Sequence, residues 1–401
     1  MPLPMRPTRR VLLLTEETGV GGVQTTLSLL TSALAARGWQ VARLSVRQGR
    51  PSLWACWRAA RQAQVLLASN NFWPAYWAVA LGWLSARPSV VWVHGPLSEV
   101  LQQAGAPPGK TRWLQTVYRL ASQVVCASQT SEASFRRVMG PVCDGRDGRD
   151  APDGLGWGQA MCVIRNPAVM PGTVSVSDSS VTSGSPGNAA HDTACQPIPQ
   201  GVAPQDVIPL GFVGRLSPEK QPLQLIAMLQ QLPARYQLHV VGDGELMGEM
   251  QSAGQALIAQ GRLHLHGQQT VSVQTYRAWR ATVLCSLYEG YPMTALESLA
   301  CGVPCVSTPI PAMQEMLGPH APGWLAQDAS AQALADAVQA ALAQAPEALQ
   351  TALQATVAAH GFNHFSQAWD QLLSRFAPCE RGPGADPHHA DHNAKEPEVK
   401  P

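Results

Sequence analysis

The sequence predicts an α/β protein of two domains, each a sheet of parallel strands covered by helices, with a cleft between them. Short apolar runs rich in Val, Leu and Ile alternate with helix-length segments, the pattern of βα repeats. The 401 residues suffice for two cores. A stretch rich in Ser, Gly, Pro and Thr at 168–205 has no period and divides the repeats into two sets.

In the first set, residues 11–14 read as the opening strand, followed by a turn at 18–22 and a helix over 24–37. Gly38 closes that helix, because a residue without a β-carbon accepts the left-handed backbone that ends helices. Strands are expected at 41–46, 65–68, 90–94, 124–127 and 161–164. The longest apolar run, 72–86, holds three tryptophans and reads as a buried helix; at fifteen residues, with Pro74 and Gly82 inside, it is too short to span a bilayer. Residues 140–158 carry six glycines and a tandem Gly-Arg-Asp, the composition of a surface excursion. The first domain is therefore placed at 1–167 and the linker at 168–206.

In the second set, strands are expected at 207–213, 238–241, 263–266, 282–285 and 305–307, with helices over 221–231, 245–259 and 293–301 between them. Gly302 ends the last of these and Pro304 precedes the next strand. Helical Ala, Leu and Gln repeats fill 330–357 and complete a domain at 207–357. A final amphipathic helix at about 365–376 lies within a segment at 358–377. The tail, 378–401, is polar, Pro-rich and expected to have no fold.

Net charge is +1 but unevenly spread: residues 1–165 hold 18 Lys and Arg against 8 Asp and Glu. The first half should therefore face something anionic, a phospholipid surface, a lipid phosphate or nucleic acid. No nucleic-acid recognition motif is present. Nine cysteines form no C-x-x-C pair, and several sit in strand-like runs where thiols pack as small hydrophobes, as in a reducing cytoplasm. The apolar run at 11–14 is too short for an export signal despite Arg6, Arg9 and Arg10 before it.

The most informative stretch runs from Glu289 to Glu297. Glu289 follows a buried strand, at the edge where open α/β sheets bind ligands. Pro292 fits the first turn of the next helix, and Glu297 lies about one turn inside it. Unpaired N–H groups at a helix start attract phosphate, and two carboxylates accept hydrogen bonds from sugar hydroxyls. Phosphate and sugar together suggest a nucleotide-sugar. The Asp- and Gly-rich 144–154 is not read as a metal site, and His388, His389 and His392 are read as part of a solvated tail.

Four second-domain motifs occur in a fixed order: GFVGRLSPEK (211–220), VVGDGE (240–245), LHLHG (263–267) and SLYEGYPMTALESLACGVP (286–304). Over 9–138, 160–167 and 207–376 the chain resembles the glycosyltransferases of family 4, a retaining family of GT-B architecture with two facing Rossmann-like domains. That resemblance implies a glycosyltransferase of hexosyltransferase type, with a UDP- or GDP-sugar donor and no catalytic metal.

The resemblance also assigns roles. Arg215 and Lys220 would neutralise the diphosphate leaving group. Glu297 would hold ribose hydroxyls and Glu289 hydroxyls of the transferred sugar, while Gly290, Tyr291, Pro292 and Met293 would present backbone to donor sugar and phosphate. Gly21 and Gly22 match a Gly-Gly loop near the donor phosphates, or form a plain tight turn. His94 would face the donor sugar, donating to a hydroxyl or to developing charge, or else be structural. Gly242 and Gly244 would allow a tight turn beside the nucleotide, with Asp243 as a cap or a ligand. Gly267 would border the base, and Asn166-Pro167 would set hinge geometry.

The implied acceptor is a glycan or lipid-linked hydroxyl in bacterial cell-surface polysaccharide, lipopolysaccharide or glycolipid synthesis. Residues 52–61 and 111–119 pair aromatics with cations. They read as ordinary half-buried helices, or as segments that rest on an anionic membrane at the inner face of the plasma membrane. Two other readings are a non-catalytic donor-binding subunit and a nucleotide-sugar epimerase of the same fold. Incubation with donor alone separates the epimerase, which needs no acceptor.

Overall fold

In a computed structural model, the described residues are 9–16, 21–47, 52–140, 161–172 and 207–377. The glycine-rich segment from 141 to 158, the linker beyond residue 172 and the 378–401 tail lie outside them, as does the front of the 18–22 turn.

The first sheet is parallel throughout. Its strands are β1 (Arg9–Thr15), β2 (Trp39–Ser45), β3 (Val65–Ala68), β4 (Ser89–Val93), β5 (Gln123–Cys126) and β6 (Met161–Val163), in the spatial order β2-β1-β3-β4-β5-β6. The helices between them are α1 (Gly22–Ala36), α2 (Leu53–Gln62), α3 (Trp73–Ser85), α4 (Leu97–Gln103), α5 (Pro108–Arg119) and α6 (Gln129–Met139). The strands are apolar without alternation because both faces are covered. Val11 and Leu13 enter one core, whereas Leu12 and Leu14 enter the core on the opposite face.

The second sheet comprises β7 (Ile208–Val213), β8 (Tyr236–Val241), β9 (Leu263–Leu265), β10 (Ala281–Leu284) and β11 (Cys305–Ser307), ordered β11-β10-β7-β8-β9. Its helices are α7 (Pro222–Gln231), α8 (Met247–Ala253), α9 (Gln255–Ala259), α10 (Val273–Arg277), α11 (Met293–Ala300), α12 (Pro311–Leu317), α13 (Ala331–Leu342), α14 (Pro346–Ala359) and α15 (Phe362–Ser374). The strand order reverses between β1 and β3 in one sheet and between β7 and β10 in the other. Loops leaving adjacent strands at such a switch point diverge and open a crevice.

Three expectations need correction. The helix read at 245–259 is two, broken at Gly254, where a β-carbon would lie 2.4 Å from the Leu263 side chain. The repeats at 330–357 likewise split before Pro346, which cannot continue a preceding helix. The run at 72–86 is a helix but only half-buried: Ala75, Ala78, Val79 and Leu81 enter the core, while Trp73, Trp83 and Leu84 are exposed.

The last helix, α15, crosses back to the first domain. Its Trp369 is buried against Trp92 of β4, with ring centroids 4.7 Å apart. Asp370 accepts from the Trp39 indole (2.8 Å) and pairs with Arg9 (3.3 Å) and Arg37 (3.6 Å).

Candidate active site in the interdomain cleft

The loops leaving β7 and β8 are stitched together by backbone. Gly214 N–H donates to the Val241 carbonyl (3.1 Å) and Leu216 N–H to the Asp243 carbonyl (2.9 Å). Gly242, at φ +147°, sits where a β-carbon would be 1.8 Å from the Gly214 oxygen; at Gly244 it would be 2.4 Å from the Leu216 oxygen. These glycines therefore serve close approach of two loops, and their effect on a ligand passes through the loop that carries Arg215. Asp243 caps its own turn, accepting from Gly244 N–H at 2.7 Å. Gly242 N–H reaches the Gly267 carbonyl (2.8 Å), which brings that residue to the same edge.

Within this frame Leu216 is buried and Arg215 is exposed, its guanidinium making no hydrogen bond or ion pair among the described residues. A single 3-10 turn, Pro218–Lys220, then turns the chain so that Lys220 Nζ donates to Glu289 Oε1 across the β7–β10 switch point. Ser286 Oγ donates to the same oxygen at 2.7 Å. The cation and the carboxylate thus neutralise each other, and both are largely withdrawn from water. Lys220, Ser286, Glu289 and Thr294 line one small hollow.

Glu297 opens on a different hollow, of about 60 Å³, shared with Thr25 and Ser28 of α1 and with Met170. The two carboxylates are linked through Tyr276, which lines the Lys220–Glu289 hollow and donates its hydroxyl to Glu297 Oε2 at 2.8 Å. Burial pushes the Glu297 carboxyl up to about 7, against the opposing effect of that hydrogen bond. The N-termini of α1 and α11 meet here: a β-carbon on Gly22 would touch Met293 at 3.5 Å. Two positive helix ends thus meet in the cleft, beside the Lys220 charge that Glu289 balances.

The Gly290–Tyr291 segment also closes the cleft. Ser128 Oγ donates to the Gly290 carbonyl (2.7 Å) and Asn166 Nδ2 to the Tyr291 carbonyl (3.1 Å), both from the first domain. The Tyr291 ring is buried and its hydroxyl bonds His360 Nε2; because His360 Nδ1 faces the Thr356 carbonyl (2.7 Å) and must carry the proton, Tyr291 is the donor. What Gly290, Tyr291 and Met293 retain for a ligand is backbone N–H, which bonds nothing among the described residues.

His94 follows β4 and its own carbonyl abuts Gly290. Its Nε2 faces the Ser69 carbonyl at 2.8 Å, and a carbonyl can only accept, so Nε2 holds the proton. Burial pulls its pKa down to about 4. The neutral ring therefore offers a lone pair at Nδ1, an acceptor where the sequence suggested a donor.

Sequence reasoning missed several partners. Ser128 could have been found as a helix N-cap, since its Oγ also accepts from Ser131 N–H at 2.9 Å. Nothing in the sequence signals Glu315. Its carboxylate caps α6 of the other domain, accepting from the Gln129 and Thr130 N–H groups (both 3.1 Å), and it pairs with Arg165 at 2.9 Å.

Two parallel sheets facing across a cleft, with a C-terminal helix returning to the first, are the GT-B architecture. Anabaena HepE, solved in complex with UDP and glucose, shares it at a TM-score of 0.67 over 92% of this chain and 100% of that one, with 17% identity. A lipopolysaccharide outer core galactosyltransferase, WaaB, in its apo form matches at a TM-score of 0.58 over 92% of this chain and 99% of that one, with 15% identity. Residues 198–356 match the family described as Glycosyl transferases group 1. Among curated proteins, the lipopolysaccharide 1,6-galactosyltransferase of Escherichia coli (strain K12) is 35% identical over 102 residues. That match spans 24% of this chain and 28% of the relative's length.

Proposed function

We propose that the protein is a retaining glycosyltransferase that moves a hexose from a nucleoside-diphosphate sugar, UDP or GDP, to a hydroxyl of a glycan or lipid-linked acceptor. The observation that carries this reading is the Lys220–Glu289 pair bridging the β7–β10 switch point. It holds a cation for the diphosphate and a carboxylate for the sugar in one place, with Glu297 one turn into the adjoining helix. The UDP in the HepE complexes and the name of the galactosyltransferase relative support a UDP-hexose donor and an acceptor in cell-surface glycan synthesis. The protein would work in the cytoplasm, at the inner face of the membrane where such acceptors are assembled.

In the reaction the anomeric C–O bond to the diphosphate breaks and the acceptor oxygen attacks from the same face. The departing phosphate oxygen takes the acceptor's proton. Arg215, Lys220 and the N-terminus of α11 stabilise the growing negative charge, and the electron pair stays on the diphosphate. His94 Nδ1 accepts a hydrogen bond from a sugar hydroxyl. Closure over the donor excludes water and so limits hydrolysis.

A thermal-shift screen of the full chain against nucleotide-sugars tests the donor class, since a selective ligand stabilises the folded form. Arg215→Ala then tests the machinery. The exposed, unpartnered guanidinium predicts an unchanged melting temperature and release of nucleoside diphosphate slowed by about 10²–10³-fold. Near-normal turnover in that variant would remove Arg215 from the mechanism.

A further inference from the structure

Helices α2, α3 and α5 leave one aromatic face of the first domain uncovered. On α3, Trp73, Tyr76, Trp77, Ala80, Trp83 and Leu84 fall within about 120° of the helical wheel. None of the six is fully buried, and Trp83 and Leu84 are 80% and 65% exposed. The opposite side of α3 is core, so this stripe is held outward.

The flanking helices extend it. Trp57 Nε1 of α2 donates to the Leu84 carbonyl at 3.4 Å, and Trp54, three residues earlier on α2, is 64% exposed. On the other flank, the exposed Trp113 of α5 meets Tyr76 edge-on, with centroids 6.3 Å apart. Cations lie over these rings: Arg58 over Trp54 at 5.5 Å, Arg61 over Trp57 at 5.2 Å, and Lys110 over Phe72 at 5.0 Å.

Carboxylates are missing from the whole region. Residues 18–131 contain ten Lys and Arg and a single acid, Glu99, which is bound to Ser98, Ser134 and Arg137. None of α2, α3 and α5 has an acidic residue. An exposed apolar face of this kind marks an interaction surface. Indoles suit the depth at which one side of a ring is apolar and the other wet, and cations on helices that carry no carboxylate suit anionic headgroups.

We propose that this face docks on an anionic phospholipid bilayer, with the indoles among the headgroups and the arginines and Lys110 on lipid phosphates. The stripe also leads to the cleft. Trp73 begins α3 just after Phe72, and Ser69, three residues earlier, holds His94 through its carbonyl. A lipid-linked acceptor leaving the bilayer along α3 would arrive at the catalytic edge of the first sheet.

The test is co-sedimentation of the full chain with vesicles of mixed phosphatidylethanolamine and phosphatidylglycerol, against vesicles of phosphatidylcholine, at low and high salt. Partition into the anionic vesicles should be about tenfold greater and should fall with salt. Trp83→Ser combined with Leu84→Ser should lower it about tenfold at either salt. Arg58→Gln with Arg61→Gln should lower it mainly at low salt, and Ile258→Ser, an exposed apolar change in the second domain, should leave it unchanged. Equal partition into both vesicles, or none into the anionic ones at low salt, would overturn the assignment. So would a solution dimer that Trp83→Ser with Leu84→Ser converts to monomer, because the face would then belong to a second copy of the chain. Vesicle binding needs no donor, so its outcome is separate from whether the protein transfers sugar.

Discussion

Glu297 is an acid whose burial favours its uncharged state. Its pKa, raised to about 7, lies above the ordinary carboxylate value of 4.5. The stability associated with the protonated form is therefore fully present below 4.5 and is lost as pH rises through 7. A ribose diol brings two hydroxyl donors and favours the carboxylate, so below about 7 binding must expel a proton. Affinity for UDP-glucose should accordingly weaken by about tenfold for each pH unit below about 7, and Glu297→Gln should bind weakly with no such slope. Titration calorimetry from about pH 8 down to about pH 6 measures this; a flat wild-type profile would take Glu297 out of ribose recognition. The same scale shows what spacing hides. Glu289 and Glu297 stand out in sequence because they flank one short loop, whereas Lys220 meets Glu289 across 69 positions of chain, and only the order of β7 and β10 brings them together.

At the scale of elements, the loops after β7 and β8 work as one unit because two glycines let their backbones touch. Gly242→Ala would place a methyl 1.8 Å from the Gly214 oxygen, at a φ of +147° that other residues rarely adopt. It should destabilise the second domain by about 3 kcal/mol or more and lower its melting transition by about 10 °C. Gly38→Ala, at φ +82° in open space, should cost only about 1 kcal/mol. Differential scanning calorimetry of both variants checks the contrast, and equal losses would mean that strain, not loop contact, governs Gly242. The strands were legible because each is a short, doubly buried apolar run, and their positions were read within two residues. Helices were less so. Gly254 packs against Leu263 of a distant strand, and the apolar tryptophans of α3 lie on its outward face while alanines fill its buried one, the reverse of what apolarity alone suggests. The hydrogen bonds from Ser128 and Asn166 to the 290–291 carbonyls were not legible at all, because a carbonyl's partner leaves no mark on its own side chain.

For the whole molecule, the two sides of the cleft are held by different forces. On the α15 side, buried Trp369 and Trp92 join the domains through apolar contact that resists opening. On the other side the links are small and polar: Ser128 to Gly290, and Glu315 capping α6. On this asymmetry, any opening of the cleft should part the Gly290–Glu315 side, the mouth, before the α15 side. Gly290 offers a clean test, since a β-carbon there would lie 1.6 Å from the His94 oxygen, and the nearest atoms to it, in His94 and Gly95, all belong to the first domain. Gly290→Ala should leave the melting temperature nearly unchanged while preventing closure. Its radius of gyration in small-angle scattering should rise, and turnover should fall about a hundredfold as the donor loop loses its register with the first domain. Glu315→Ala removes a cap worth about 1 kcal/mol and should open the mouth only in part, with a loss of turnover nearer to fivefold. If Gly290→Ala scattered like the wild type and turned over normally, the closed contact between Gly290 and His94 would not be the working state, and the polar mouth would have no part in catalysis.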